Sequence, residues 1–329
     1  MNLDDAEIQN LEITKFIFHV VHLQQDEPIL LDETPITGFE KFFLARVKET
    51  LRGNGFVFSD GSVTRAALKQ IDDDENQFVP VSKVLAQTFH AGKDRRIKPG
   101  VMMLMQLATG RRRLYSLLKY DHEESLTYDI TSDAKAILKS IANSFTKSPD
   151  ALQKCALIEL TKAGGNIVVI DRTVRQDITD FFRGFLVCKR RYSTTEMTSV
   201  AKDVIVEVVK RHQDVLPLEI TKAAQERYYE AVQKRDTFDP DQFFAEYFGA
   251  SGSEEVRASY DKGLDRHSMK GEVFTFDKTA VTTFKPEKFK TAEGVKIEIP
   301  KQASDTVSRE EGPDGFTVIT IKTRKLMLQ

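Results

Sequence analysis

The chain has no tryptophan, two cysteines among 329 residues, and no apolar run near the roughly 18–20 residues of a membrane-crossing helix. Cys155 and Cys188 make neither a metal-ligand spacing nor a disulfide framework. The opening MNLDDAEIQN is acidic and polar, without the basic-then-apolar order of a secretion signal. These absences together point to a cytoplasmic protein with no membrane partner. An excess of positive charge is also lacking: 48 Lys and Arg stand against 50 Asp and Glu, for a net charge of −2. A uniform DNA coat draws its affinity from phosphate neutralisation and is usually strongly basic, so that role is disfavoured. A local basic face is still open, because electrostatic fields follow where charges sit. The sequence contains no G-x-x-x-x-G-K-[ST] phosphate loop, no G-x-G-x-x-G after a strand and no G-x-S-x-G elbow.

What is abundant is phenylalanine, 22 in all, set in segments of two different periods. ITKFIFHVVHL (13–23) predicts a strand that EPILLDETPI (27–36) could continue between Pro28 and Pro35. Phe39, Phe42, Phe43, Leu44 and Val47 recur at helical spacing and end at Gly53 and Gly55. A shorter helix is predicted from Val81 to Ala91, two strands over 99–121 around Thr109 and Gly110, and a third strand over 126–130. The segment 151–172 is the clearest hairpin, with Ala163, Gly164 and Gly165 at its turn. From Asp177 to about Leu264 the period is helical, in segments 177–188, 196–212, 217–235 and 240–248. Pro217 and Pro240 mark new helix starts, and a Ser in GASGSEE marks a cap. GEVFTFD, GVKIEIP and GFTVITIKT then alternate apolar and polar residues, as antiparallel strands with one wet face do. The order predicts an α+β fold: a mixed α/β domain over 1–175, a helical segment over 176–264 and a β-rich part over 265–329.

Residues that could carry chemistry are few. His19 and His22 are the closest histidine pair, but three apart on a strand they face opposite ways, and buried, hydrogen-bonded imidazoles are the plainer expectation. Asp72, Asp73, Asp74 and Glu75 lack the spacing and glycine of a calcium loop and read as a solvated acidic loop. Pro149-Asp150 with Glu159 and Lys162 imitates a metal-nuclease pattern at the wrong interval, and Asp133-Ala-Lys135 has the interval but opens a predicted helix. No cofactor or metal is therefore expected. Basic clusters are the better candidates. Arg111, Arg112 and Arg113 fall at a predicted hairpin tip. Lys189, Arg190 and Arg191 close the aromatic helix of Phe181, Phe182, Phe185 and Leu186. Lys202, Lys210 and Arg211 lie on the next helix. Each has an ordinary alternative in a solvated face or in compensation of the helix dipole. Ser193, Thr194 and Thr195 could donate to phosphates or, equally, cap that next helix.

ITKFIFHVV, QKCALIELTKAGGNIVVIDR and DITDFFRGFLVC, together with the ending GVKIEIP to FTVITIKT, resemble the NdpA-like family of bacterial nucleoid-associated proteins. Asp180, Phe181, Phe182, Phe185 and Leu186 fit that family's DFF..FL pattern. The resemblance spans nearly the whole chain and implies a cytoplasmic protein of the nucleoid, with no catalytic residues to carry over. The expectation is a non-enzymatic protein that binds double-stranded DNA through a composite basic surface, as a homo-oligomer whose copies add modest patches. An accessory module with a protein partner, in chromosome maintenance or phage defence, is the second reading. A metal-dependent nuclease is the third.

Overall fold

A computed structural model describes residues 1–323 apart from Asn2, 22–25, 92–97, 122, 131–135, 145–151, 163, 282–286, 300–302, 304–305 and 314. The first part of the chain runs α1 (Asp5–Gln9), β1 (Glu12–Val21), α2 (Glu40–Thr50), β2 (Asn54–Phe58), α3 (Val63–Asp73) and α4 (Phe78–Ala91). The hairpin strands β3 (Gly100–Thr109) and β4 (Arg112–Asp121) follow, then β5 (Glu123–Ile130), β6 (Ala136–Ser144), β7 (Leu152–Thr161) and β8 (Gly164–Asp171). The short α5 (Asp180–Leu186) leads into β9 (Cys188–Arg190).

Seven of these strands form one sheet in the order β1-β3-β4-β7-β8-β2-β9, antiparallel at every step, while β5 and β6 pair separately. Side chains alternate across a strand, so β3 sends Met102 and Leu104 to one face and Val101, Met103, Met105 and Leu107 to the other. The first face packs under α3, α4 and α5, with Leu68, Ile71, Leu85, Phe89, Phe182 and Phe185 in its core. The second packs under α2, through Phe43 and Val47. Covering both faces explains why VMMLMQLAT is apolar almost throughout.

A second core begins with α6 (Thr194–Arg211), followed by α7 (Leu218–Thr221), α8 (Ala224–Lys234), β10 (Thr237–Phe238), α9 (Pro240–Phe248), α10 (Glu254–Arg266) and β11 (Phe274–Thr275). Ser193 caps α6 in a reciprocal box with Glu196, Pro240 sits at the start of α9, and Ser253 caps α10. Val204, Ile205 and Val208 of α6 meet Tyr228, Phe243 and Tyr260. Met269, Phe274, Phe276 and Val281 complete this core, which thus runs past residue 264. Two further hairpins follow, β12 (Glu287–Lys290) with β13 (Lys296–Ile299), and β14 (Val307–Glu311) with β15 (Thr317–Ile321). The class is α+β with antiparallel sheets, as the order of periods predicts.

Several local expectations are corrected. Residues 27–36 do not extend β1 but run beside it, joined by the Ile29–Val20 bridge and by the Thr34 N–H donating to the Phe16 carbonyl, because Pro28 and Pro35 cannot donate to a ladder. Gly53 and Gly55 flank and enter a strand rather than only stopping a helix. A Cβ on Gly53 would lie 2.3 Å from the Val169 carbonyl oxygen, and one on Gly55 would lie 2.7 Å from the Glu272 carboxylate. The region expected to be helical after Asp133 is strand β6, with Asp133 and Lys135 outside the described residues. The span 217–235 is broken into α7 and α8, where Ala223 leaves helical geometry at φ −126°. The acidic run is not a loop. Asp72 and Asp73 finish α3, which the sequence pattern does not reveal, and Asp74 accepts a hydrogen bond from the Asn76 N–H.

Candidate nucleic-acid interface

The expected cations lie in three places. Arg111 is exposed at the β3–β4 turn. Beside it, Arg112 grips Glu159 with Nε and Nη2 at 2.8 and 2.9 Å, and reaches Glu7 with Nη1 at 2.9 Å. Arg113 donates to Glu75 at 2.7 Å and lies 3.5 Å from Asp72, which also accepts from the Tyr115 hydroxyl. Two arginines of this cluster therefore fasten α1 and the end of α3 to the sheet and brace β4 against β7. Glu159, one of the imagined nuclease carboxylates, is spent in this network, and Asp150 lies outside the described residues.

The second cluster does not close a helix. α5 ends at Leu186, Val187 turns the chain at φ +49°, and Lys189 and Arg190 continue as the sheet's edge strand against β2. The cause is burial: Phe182, Phe185 and Leu186 are held in the core, so the chain must reverse directly after them. Dipole compensation consequently does not explain these cations. Lys189 is exposed. Arg190 reaches the nearly buried Glu272 at 2.7 Å and also donates to the carbonyls of Gln176 and Val273. Burial pushes the Glu272 carboxyl above its ordinary value, opposed by Arg190 and by the Gly55 N–H at 2.6 Å. Arg191 packs against Gly55 with two buried guanidinium nitrogens that have no hydrogen-bond partner among the described residues. Asn54 adds a second tie, donating to the Arg175 carbonyl and accepting from the Val273 N–H. Arg190 and Asn54 thus join the two cores.

On α6, Lys202 stands 3.6 Å from Asp203, Arg211 shares Glu207 with Arg266, and Lys210 is exposed. The nearby hydroxyls serve the fold: Ser193 caps α6, and Thr195 donates to Asp277. Of the nine expected cations, Arg111, Lys189 and Lys210 are exposed without a carboxylate partner among the described residues.

Register brings the first two clusters to one end of the sheet. Tyr115, Ile158, Ile167, Phe56 and Arg190 form a continuous cross-strand row, with Arg113 two residues along from Tyr115. At about 4.8 Å per strand, β4 and β9 are about 19 Å apart. The β7–β8 turn opens at the same end. It contributes exposed Lys162, and Arg65 of α3 reaches the Gly164 carbonyl there at 3.0 Å. Neither residue is a sequence candidate for phosphate contact, since Lys162 enters only the nuclease-like pattern. The hairpin signal of TKAGG could have exposed Lys162, whereas Arg65 depends on a helix the pattern hid.

The other chemical candidates settle into structural roles. His19 is buried, accepts from the Leu31 N–H at Nδ1 and contacts the Ser82 hydroxyl through Nε2 at 3.1 Å, while His22 lies outside the described residues. Burial, then repulsion from Lys83, lowers its pKa to about 4. Both cysteines are buried and unbridged, with thiols pushed up to about 12 mainly by burial. Among the described residues, no group of three or more His, Cys, Asp and Glu is arranged to hold a metal. No described helix is long and apolar enough to cross a membrane.

Comparison with known families places this geometry in context. The family of nucleoid-associated protein YejK matches residues 17–325, and the chain belongs to it. Among curated proteins, none matches the chain.

Proposed function

From this membership, we propose that the protein binds double-stranded DNA through its phosphates, without reading bases and without catalysing a reaction. The single observation that carries the reading is the family match over 17–325. The turn end of the sheet supports it with Arg111, Lys162 and Lys189, exposed cations carried on rigid strands and hairpin tips. Lys210 adds a site on the helical core. The ion-paired Arg112, Arg113 and Arg190 hold the frame and leave phosphate contact to their neighbours. Phosphate contacts position a protein on the duplex and carry no base information, which fits scattered cations better than a recognition helix.

A gel-shift salt series tests this directly. Each phosphate contact contributes about −0.9 to the log–log salt slope. Replacing Arg111, Lys162 and Lys189 together by Ala should weaken binding alike on unrelated sequences and make the slope shallower by up to about 2.7. Affinity that is indifferent to salt sinks the reading. Incubation with magnesium or manganese should leave the DNA intact.

We also propose self-association, supported by a separate observation. β15 exposes Val318 and Ile321 beside Phe316, and TVITI carries no charge that would repel a second copy paired antiparallel to it. Sedimentation equilibrium should show an oligomer that Val318→Lys dissociates. A monomeric wild-type chain rejects this part alone.

A further inference from the structure

The end of the sheet opposite the turns holds a cluster for which DNA backbone binding has no use. On the face beneath α5, the apolar columns of β4, β7 and β8 each end in a charged residue. Tyr115 and Leu117 lead to Lys119 and Asp121, Ile158 and Ala156 to Lys154, and Ile167 and Val169 to Asp171. Lys119 is directly opposite Lys154, which is directly opposite Asp171. Lys119 is 1% exposed and Lys154 is 4% exposed. Two like charges side by side in an interior are costly, and ordinary cores avoid them.

The two lysines are not equivalent. Lys154 is fully engaged, donating to Asp171 at 2.7 Å, Thr179 at 3.0 Å and Thr173 at 3.4 Å. Asp171 in turn accepts from the N–H groups of Thr173 and Thr179 and from the Thr179 hydroxyl, so this knot ties β8 to the start of α5. Lys119 has one acceptor among the described residues, Asp121 at 2.7 Å, for an ammonium with three donors. Its Nζ would lie 2.5 Å from a Cβ on Gly100, so the glycine makes room for it. Burial and repulsion from Lys154 and Lys98 oppose its charge, and Asp121 only partly offsets them.

These groups border a cavity of about 350 Å³ whose lining includes Lys98, Lys119, Lys154, Thr173 and Thr179. Lys98 is exposed at the mouth and has no carboxylate partner among the described residues. Among the described residues, Lys98, Lys119 and Lys154 face Asp121, Asp171 and Asp180; Lys98 and Asp180 are both exposed and screened by solvent, so Lys119 is the buried cation that keeps donors to spare. The volume lies at the small end of ligand pockets, and Lys119 and Lys154 of the sheet are deeply buried lining residues.

We infer that this cavity is a binding site for a terminal phosphate monoester, with Lys119 at its floor and Lys98 at its mouth. A monoester carries about 1.5 to 2 negative charges at neutral pH and three acceptor oxygens, enough to engage the spare donors of Lys119 and the charge of Lys98 together. A phosphodiester inside a strand has one charge and a chain leaving on both sides, a poorer match to a buried ammonium reached from one side. The monoester can come from a free nucleotide or from a 5′-phosphorylated DNA end. The inference does not depend on the turn-end DNA surface.

Isothermal titration of the full chain with inorganic phosphate and with thymidine 5′-monophosphate reads the site. Anisotropy with 5′-phosphorylated and 5′-hydroxyl duplexes separates the sources, and closed circular DNA, which has no ends, reports the turn-end surface independently. Both small ligands should bind with one-to-one stoichiometry. Lys98→Ala, an exposed change that spares the fold, should weaken them about 10-fold, and Lys98→Arg should retain them. Lys119→Met should abolish binding, with the melting temperature followed on the same sample. Preference for the 5′-phosphorylated duplex assigns DNA ends; equal duplex affinities beside nucleotide binding assign the free nucleotide. No binding of either small ligand to folded wild-type protein overturns the site. So does binding that Lys98→Ala leaves unchanged.

Discussion

The two ends of the seven-stranded sheet put the same residue types to opposite use. At the turn end, Arg111, Lys162 and Lys189 stand in water while Arg112 and Arg113 are bound to carboxylates at the surface. At the far end, Lys119 and Lys154 lie in the interior, each against an aspartate. An exposed cation is well solvated, contributes little to folding and can be lent to a ligand. A buried one stands only while its partner remains, and removing either leaves an unsolvated charge. Local sequence does not separate the two classes, since Lys119 in LLKYD and Lys189 in VCKRR both follow apolar residues.

The largest effect should come from breaking the far end. Lys154→Ala strands Asp171 in the core and should cost about 3–5 kcal/mol, read by denaturant unfolding. A cost under about 1 kcal/mol would show that the far-end pairs behave like surface pairs. Next is the tie between the cores: Glu272→Gln removes the charge that Arg190 holds and should cost about 2 kcal/mol, with the sheet and helical cores melting less cooperatively by calorimetry.

Acid should act through His19, buried on the same sheet face as the far-end cluster. Its folded pKa is lowered from 6.5 to about 4, so between these values the unfolded chain takes up a proton that the folded one refuses. Stability from this group is complete above pH 6.5 and is lost as pH falls toward 4, by about 3 kcal/mol. His19→Gln should flatten that limb of the pH–stability curve. Asp171, held below its ordinary value by Lys154 and Thr179 against the opposing effect of burial, should lose its contribution only at still lower pH. The smallest effect belongs to the turn end. Replacing Arg111, Lys162 and Lys189 by Ala should change stability within about 0.5 kcal/mol each, even as DNA affinity drops. A large stability loss there would erase the contrast between the ends.

Much of the fold is legible before any coordinates. β1, the β3–β4 and β7–β8 hairpins, α2, α4, α6 and α9 follow from period, caps and turn residues, because those signals are local. α3 is hidden because VTRAALKQIDD keeps only a narrow apolar stripe at Leu68 and Ile71. β2 is hidden because NGFVF is short and glycine-bearing, and it is a strand only because β8 and β9 flank it. The basic clusters are visible as composition, but their ion pairing is not. Glu7, 105 residues from Arg112, and Glu272, 82 residues from Arg190, carry no trace of partnership in the chain order.

Sequence alone determined the α+β class, the aromatic core of α5 and the family's motifs, and it narrowed the cap of α6 to the run Ser193 to Thr195. Each depends on neighbours within a few positions, where periodicity and hydrogen-bond reach are short-range. Tertiary structure alone decided which cations are spent and which are available, that Lys189 and Arg190 lie on a sheet edge rather than a helix end, and that Lys119 and Lys154 share an interior with a cavity. Charge energetics depend on distance and solvent, and both are set by strands that meet across tens of residues.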